Sequence, residues 1–256
     1  MSIATIEGKI SDISVSVCFP AYNEEATIAQ VLEEAYELLS KSGLSFEILV
    51  CNDGSVDRTG TIIQDLAKQI PRLRVLDHPQ NLGISRTFEH LYAEAVGDLI
   101  FLNSTDRQWE TGILFQMMPM TKDWDVIVAS RVNKHYGTVR RFVSWSFNLI
   151  PRLLFGVDTY DAGAVKLMRR EIIHRFKLES RSPFTEAERL IRAARAGYRI
   201  TEYSVEINTR KTGRSHGVSV KVLLEALADV IRLWWSLRSN RIEVQALSGR
   251  EVKKPV

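Results

Sequence analysis

The feature that most constrains the fold is a repeated alternation between short apolar runs rich in β-branched residues and longer segments with helical hydrophobic spacing. The strand-like runs are residues 13–19, 46–51, 73–76, 98–102, 126–129, 161–168 and 198–207, and the helical segments are 24–39, 57–70, 84–96, 185–196 and 221–237. Strands that alternate with helices require crossover connections, which produce a mostly parallel sheet covered on both faces. The sequence therefore predicts an α/β domain with a mostly parallel central sheet flanked by helices.

Polar clusters follow the ends of three of the predicted strands, at residues 22–25, 52–57 and 103–108. Ligands of parallel α/β sheets bind beyond the carboxyl ends of the strands, so these clusters are expected to meet at one edge. That arrangement is typical of a nucleotide-binding domain.

Two aspartates in these clusters are candidates for binding a nucleotide. Asp53 can accept hydrogen bonds from a nucleobase or ribose, but its position equally suits an Asx turn, with Asp57 or Ser55 capping the next helix. Asp106 offers the oxygen ligand that Mg²⁺ or Mn²⁺ prefers beside a diphosphate. A solvated loop aspartate is the alternative at position 106, and spacing alone leaves both choices open.

Charge and cysteine usage narrow the class of protein further. Residues 1–128 carry 9 Lys and Arg against 19 Asp and Glu, whereas residues 129–256 carry 25 against 12. An acidic half that can hold a cation and a basic half that can face phosphates suit an anionic substrate or surface. Cys18 and Cys51 lie in apolar runs without ligand spacing, which argues against a disulfide scaffold or zinc ribbon and predicts buried core thiols.

The polar clusters belong to a longer series of motifs. The series comprises residues 20–25 (PAYNEE), 52–55 (NDGS), 81–83 (NLG), 130–131 (SR), 161–163 (DAG), 186–188 (EAE) and 210–216 (RKTGRSH). In order and spacing it resembles the family-2 inverting glycosyltransferases with the glycosyltransferase A-type fold, over about residues 13–217. The later motifs are most similar to those of the polyprenyl-phosphate sugar synthases, which include the dolichyl-phosphate enzymes.

The resemblance implies roles for residues in the first half of the chain. It places the nucleotide at Pro20, Ala21, Tyr22, Glu24, Asp53, Gly54 and Asp106. Asp106 would also be the ligand of Mg²⁺ or Mn²⁺, the expected cofactor, which neutralises the departing diphosphate.

The resemblance also implies the residues near the acceptor. Glu188 is the family-aligned carboxylate and Asp161 is a second one, with Glu186 as the alternative register. Two glutamates in a first helical turn are favoured by the helix dipole anyway, and Glu188 can pair with Arg192 one turn later. The candidates for binding acceptor phosphate are Arg131, Arg140, Arg210 and Arg214.

One departure from the family pattern concerns the metal. The family usually has two aspartates in an Asp-x-Asp motif, whereas this chain has Ser104, Thr105 and Asp106, followed by Arg107. Three consequences remain open: a weaker metal affinity, an arginine that replaces part of the metal's charge, or a non-catalytic nucleotide-binding homologue.

The resemblance implies an enzyme that moves a sugar from a nucleotide diphosphate sugar to a lipid (polyprenyl) phosphate, and a saccharide or other hydroxyl acceptor is the alternative. The predicted organisation is a catalytic domain at 1–217, an amphipathic helix at 218–238 and a polar tail at 239–256. Residues 139–155 and 221–237 suit either a membrane surface or packing on the core or a second copy. Without a secretory or spanning pattern, the expected location is the cytoplasm, peripheral on the inner membrane face, with no nucleic-acid partner.

Overall fold

The computed structural model describes residues 13–107, 109–131, 149–159, 162, 165–205 and 220–239. Its strands are β1 (Ser14–Ala21), β2 (Ser45–Asn52), β3 (Leu73–Asp77), β4 (Leu99–Leu102), β5 (Val126–Arg131), β6 (Lys166–Arg169) and β7 (Ile200–Val205). They form one sheet in the order β3-β2-β1-β4-β6-β5-β7, in which β6 alone is antiparallel to its neighbours. The predicted mostly parallel sheet is confirmed.

Helices cover both faces of this sheet. They are α1 (Ile28–Ser40), α2 (Thr59–Ala67), α3 (Ile84–Glu94), α4 (Ile113–Met117), α5 (Arg170–Arg175), α6 (Thr185–Arg195) and α7 (Val220–Ser239), with a 3-10 helix at Met118–Lys122 and further helical residues at 149–155. The sequence pattern does not predict α4, the 3-10 helix or α5, because elements of five or six residues are too short to show a hydrophobic period.

Alternation along the strands divides the core into two layers. On β2, Ile48 and Val50 join the layer under α1 and α2, while Leu49 and Cys51 join the layer with α3 and α6. Cys18 and Cys51 are buried free thiols, as predicted. Because both faces of the sheet are covered, the central strands β1, β2 and β4 are buried over most of their length, whereas the edge strands β3 and β7 are only partly buried.

Helix α7 packs against α6 through a third cluster that contains Ala226, Val230 and Leu233. Trp234 contacts this cluster, whereas Trp235 is 61% exposed. Asp229 is buried and accepts hydrogen bonds of 2.9 Å from the backbone N–H groups of residues 181 and 182. In the parts of the chain that the structure describes, no helix combines the length and apolarity needed to cross a bilayer.

Candidate active site

The loops that follow β1 and β2 are tied together at the carboxyl edge of the sheet. The backbone N–H of Asn23 donates to the Ser55 hydroxyl at 3.0 Å, and its side-chain Oδ1 accepts from the backbone N–H of Val56 at 2.9 Å. The backbone N–H of Glu24 donates to the Thr59 hydroxyl at 2.8 Å. The predicted base-pocket residues from 20 to 24 are therefore held by the predicted Asn-Asp-Gly-Ser loop, and their contact with a nucleotide stays a prediction.

Asp53 is buried beneath this edge and organises a third loop. Its Oδ1 and Oδ2 accept hydrogen bonds of 2.9 Å from the backbone N–H groups of Leu82 and Gly83, and its Oδ1 lies 2.7 Å from His78 Nδ1. The Asx turn belongs to Asp57, whose Oδ1 accepts from the Thr59 N–H at 2.9 Å. Asp53 thus positions the turn that begins α3, and a direct bond from it to base or ribose stays a prediction.

Gly54 allows the second and third loops to approach each other. It has φ of 65°, and a Cβ atom added there would lie 2.3 Å from the carbonyl carbon of Gln80 and 2.5 Å from the nitrogen of Asn81. Backbone atoms at such distances cannot be relieved by rotating a side chain.

We therefore expect Gly54→Ala to lower the free energy of unfolding by about 3 kcal/mol, since a left-handed alanine costs about 1–2 kcal/mol and overpacking about 1–3 kcal/mol. Gly43→Ala is the matched control, because Gly43 has φ of 74° with nothing within 4 Å of an added Cβ. Chemical denaturation measures both. Equal losses in the two variants would show that the contact with residues 80 and 81 is unimportant.

The candidate metal ligand lies in the loop after β4. Asp106 is partly exposed, and its Oδ1 accepts a hydrogen bond of 2.7 Å from the Ser104 hydroxyl. This pair of oxygen donors fits a hard cation such as Mg²⁺ or Mn²⁺. Arg107 has φ of 57° and donates to the Gln30 side chain on α1 at 2.5 Å, so its charge is directed toward that helix.

Glu188 lies in the first turn of α6 and is fully buried. Its carboxylate accepts hydrogen bonds from the backbone N–H of Glu179 at 3.1 Å, from that of Ser180 at 2.8 Å and from Arg192 Nε at 2.7 Å. The pairing with Arg192 that the spacing allowed is confirmed. These bonds hold the loop before α6, while the predicted role of Glu188 at the acceptor stays a prediction.

Glu186 belongs to a buried network that links β6, α3 and α6. Its Oε2 lies 2.6 Å from Lys166 Nζ and accepts from the Tyr92 hydroxyl at 3.0 Å, and Arg189 contacts its other oxygen. Burial alone would raise the pKa of the Glu186 carboxyl, but Lys166 and Arg189 outweigh it and hold that pKa below its usual range. These paired charges indicate that Glu186 has a structural role. The sequence did not predict this role, because its partner Lys166 lies inside an apolar run.

The remaining predicted site residues are placed only in part. Arg131 ends β5 opposite Val205. The other four, Asp161, Arg140, Arg210 and Arg214, lie outside the described residues.

A cleft of about 740 Å³, here called the basic cleft, opens between the start of α3 and the loop before α6. Its cationic side chains are Arg86, Lys177, Arg181 and Arg232, and Glu89, Glu179, Phe176 and Leu178 are also in its lining. Arg86 comes three residues after the glycine that donates to Asp53, and Glu179 belongs to the loop bonded to Glu188. The sequence does not predict this cleft, because its cations come from separate segments of the chain.

Comparisons with known proteins agree with this architecture. The family model described as Glycosyl transferase family 2 matches residues 16–176. Glycosyltransferase AglD of Haloferax volcanii is 28% identical over 241 residues, which cover 88% of this chain and 38% of AglD. An undecaprenyl-phosphate 4-deoxy-4-formamido-L-arabinose transferase of Pseudomonas paraeruginosa is 26% identical over 242 residues, which cover 92% of this chain and 68% of that protein. This chain thus spans well under half the length of AglD.

Among solved structures, glucosyl-3-phosphoglycerate synthase from Mycobacterium tuberculosis, in complex with Mn²⁺, uridine diphosphate and phosphoglyceric acid, has a TM-score of 0.68. The sequences are 18% identical, and the match covers 92% of this chain and 82% of that one. At this identity the likeness shows a shared fold.

Proposed function

Since this chain belongs to glycosyl transferase family 2, we propose that it transfers a sugar, with inversion, from a nucleotide diphosphate sugar to a lipid phosphate at a membrane surface. The catalytic domain is assigned to residues 1–217, followed by the amphipathic helix 218–238 and the tail 239–256. The cytoplasmic face is the location where both substrates would meet this domain.

The observation that carries the proposal is the basic cleft beside an exposed apolar helix face. Arg232 of α7 lines the cleft, and Leu224, Leu227, Ile231 and Trp235 on α7 are each about half exposed or more. The neighbouring helical residues 149–155, which pack on α7 through the third cluster, add the exposed Leu153. A lipid phosphate has an anionic head and an apolar tail, so it suits cations next to an apolar surface.

The similarity to an undecaprenyl-phosphate sugar transferase supports a polyprenyl phosphate acceptor. The structural neighbour crystallised with phosphoglyceric acid supports a different acceptor, a small phosphate-bearing molecule. Both acceptors carry a phosphate, and only the first requires the apolar face of α7.

On the donor side, the residues from Pro20 to Glu24 and Asp53 would enclose the nucleoside, and Asp106 with Ser104 would hold Mg²⁺ or Mn²⁺. The bound cation supplies charge neutralisation for the departing diphosphate. Complexes of the structural neighbour with Mn²⁺ and uridine diphosphate support this cofactor class.

A phosphate acceptor changes what the protein must do in the transfer step. Its oxygen forms the bond to the anomeric carbon while the bond from that carbon to the diphosphate oxygen breaks, and the electron pair leaves with the diphosphate. The acceptor is already anionic at neutral pH, so no side chain has to remove a proton. The protein must instead bind the phosphate, a role we assign to Arg131, Arg140, Arg210 and Arg214, with Arg86 and Lys177 of the basic cleft.

The direct test incubates the purified chain and Mn²⁺ or Mg²⁺ with a panel of nucleotide sugars and three separate acceptors, followed by mass spectrometry. The acceptors are a polyprenyl phosphate in detergent, the matching polyprenol and 3-phosphoglycerate. We expect glycosylated product from the polyprenyl phosphate alone. Product from the polyprenol or from 3-phosphoglycerate, with none from the lipid phosphate, would contradict the proposal.

Membrane association is tested by replacing Leu227, Ile231 and Trp235 together with serine. Burying one such side chain contributes about 1.5–3 kcal/mol, and 1.4 kcal/mol is a factor of ten, so we expect vesicle binding to weaken by about 10²-fold or more. Sedimentation with anionic phospholipid vesicles measures it. A control variant with serine at Val56 and Val96, which are exposed elsewhere on the domain, should bind like wild type, and equal binding by all three proteins would exclude this face.

A further inference from the structure

Beneath the Asp53 carboxylate, three side chains from separate elements bring a sulfur and two nitrogens together. Cys51 is on β2, His78 directly follows β3, and His90 is on α3. Cys51 Sγ lies 3.7 Å from His78 Nε2, which lies 2.9 Å from His90 Nδ1, and all three atoms fall within 4.8 Å of one another. Cys51 and His78 are buried and His90 is partly exposed, so solvent reaches the cluster from the His90 side.

We propose that Cys51, His78 and His90 bind Zn²⁺ at a site distinct from the oxygen ligands at Asp106. Tetrahedral zinc with ordinary bond lengths separates a sulfur from a nitrogen ligand by about 3.6 Å and two nitrogen ligands by about 3.3 Å. The observed 3.7 Å already matches the first value. The 2.9 Å contact joins two nearly parallel rings, 9° apart, so the rings must part by a few tenths of an ångström and rotate until both lone pairs point at one cation. A thiolate with two imidazoles is also the ligand set that favours zinc over magnesium or manganese.

His78 is oriented for this role by Asp53. The Nδ1–H of His78 donates to Asp53 Oδ1 at 2.7 Å, which leaves the Nε2 lone pair directed at the other two side chains. A carboxylate behind a histidine ligand fixes its tautomer and makes it a better donor to the metal. The same carboxylate accepts hydrogen bonds from the backbone of Leu82 and Gly83, so a cation bound here would help to stabilise the loop that contains these two residues.

In the metal-free cluster, hydrogens on the thiol and on one imidazole occupy the positions that the cation would take. With His78 Nε2 as acceptor, the 2.9 Å contact requires His90 Nδ1 to carry a hydrogen. Burial, together with the Asp53 and Asp77 carboxylates, raises the pKa of Cys51 to about 12, so the thiol is protonated at neutral pH. Binding therefore releases the Cys51 proton to solvent and moves the His90 proton from Nδ1 to Nε2.

Cobalt is a spectroscopic substitute that reports thiolate ligation directly. The full chain, stripped of metal by a chelator, is titrated with Co²⁺, and we expect a sulfur-to-cobalt charge-transfer band in the near ultraviolet. Cys51→Ser should abolish the band. Cys18→Ser, at the other buried cysteine, and Asp106→Asn should retain it. The absence of the band in wild type, or its persistence in Cys51→Ser, would overturn the proposal.

A second variant covers the case in which Cys51→Ser does not fold. His90 is only partly buried, so His90→Gln should fold. Loss of a supporting residue costs 10–100-fold in metal affinity, so loss of a direct ligand should weaken Zn²⁺ binding by at least about 100-fold in competition with a chromophoric chelator. His174→Gln, at an exposed histidine on α5, should match wild type. Equal zinc affinity in His90→Gln and wild type would overturn the assignment whatever the enzymatic activity.

Discussion

Asp106→Asn is expected to lower the rate of sugar transfer by about 10²- to 10³-fold while leaving thermal unfolding unchanged. A metal that stabilises the leaving diphosphate contributes several kcal/mol, and each 1.36 kcal/mol is a factor of ten in rate. Asparagine preserves the side-chain shape and removes the charge. Ser104, the neighbouring donor at 2.7 Å, supplies only a neutral oxygen in place of the lost carboxylate. The rate is measured against the concentration of Mg²⁺ or Mn²⁺.

Two further variants test whether the loss of rate is specific to the carboxylate of Asp106. Asp123→Asn removes an exposed carboxylate from the loop before β5 and should leave the metal titration unchanged. Ser104→Asp places two carboxylates side by side, which repel each other unless a cation lies between them. We expect the Ser104→Asp variant to be less stable than wild type in the presence of a chelator and to regain stability when Mg²⁺ or Mn²⁺ is added. It should also bind either ion more tightly than wild type. An Asp106→Asn enzyme of near-normal rate would remove the metal assignment.

The sequence predicted the fold best where clear hydrophobic periods coincide with a regular alternation of strands and helices. The first four strands and α1 to α3 alternate regularly, and their order alone brings the loops after β1, β2 and β4 to one edge. The partners of Asp53 were not predictable in the same way. The backbone groups of Leu82 and Gly83 are about thirty residues away, and nothing in their side-chain types marks them as donors to a carboxylate.

Partners from distant parts of the sequence also explain why buried polar groups were not predicted. The predicted amphipathic helix at 218–238 does not indicate a buried carboxylate, yet Asp229 is buried and accepts from the backbone N–H groups of residues 181 and 182. The apolar neighbours of Cys51 predict a buried core thiol, which is confirmed, but they do not indicate that His78 and His90 approach it from other elements. His78 comes two residues after the predicted strand 73–76, at the edge where the polar clusters meet, and this position was a signal for a site residue.

Substitution of Glu188 is the second change for which we expect a large effect, here on the free energy of unfolding. Glu188→Ala should lower the free energy of unfolding by about 3–5 kcal/mol, because it leaves the mostly buried Arg192 without this partner. It also deprives the N–H groups of Glu179 and Ser180 of their acceptor. Glu188→Gln keeps the shape and one acceptor oxygen, so it should lose only about 1–3 kcal/mol. Chemical denaturation of both variants measures the two losses.

The kinetics of Glu188→Gln then report the chemistry of the acceptor. A lipid phosphate needs no general base, so the folded variant, assayed well below its melting temperature, should retain kcat within about tenfold of wild type. A hydroxyl acceptor requires proton removal, and loss of its base would cost about 10²- to 10⁴-fold. Arg210→Ala supplies the comparison, since losing a charge-assisted phosphate contact should raise the KM for lipid phosphate. A Glu188→Gln variant that is folded but inactive, beside a mild effect of Arg210→Ala, would therefore favour a hydroxyl acceptor.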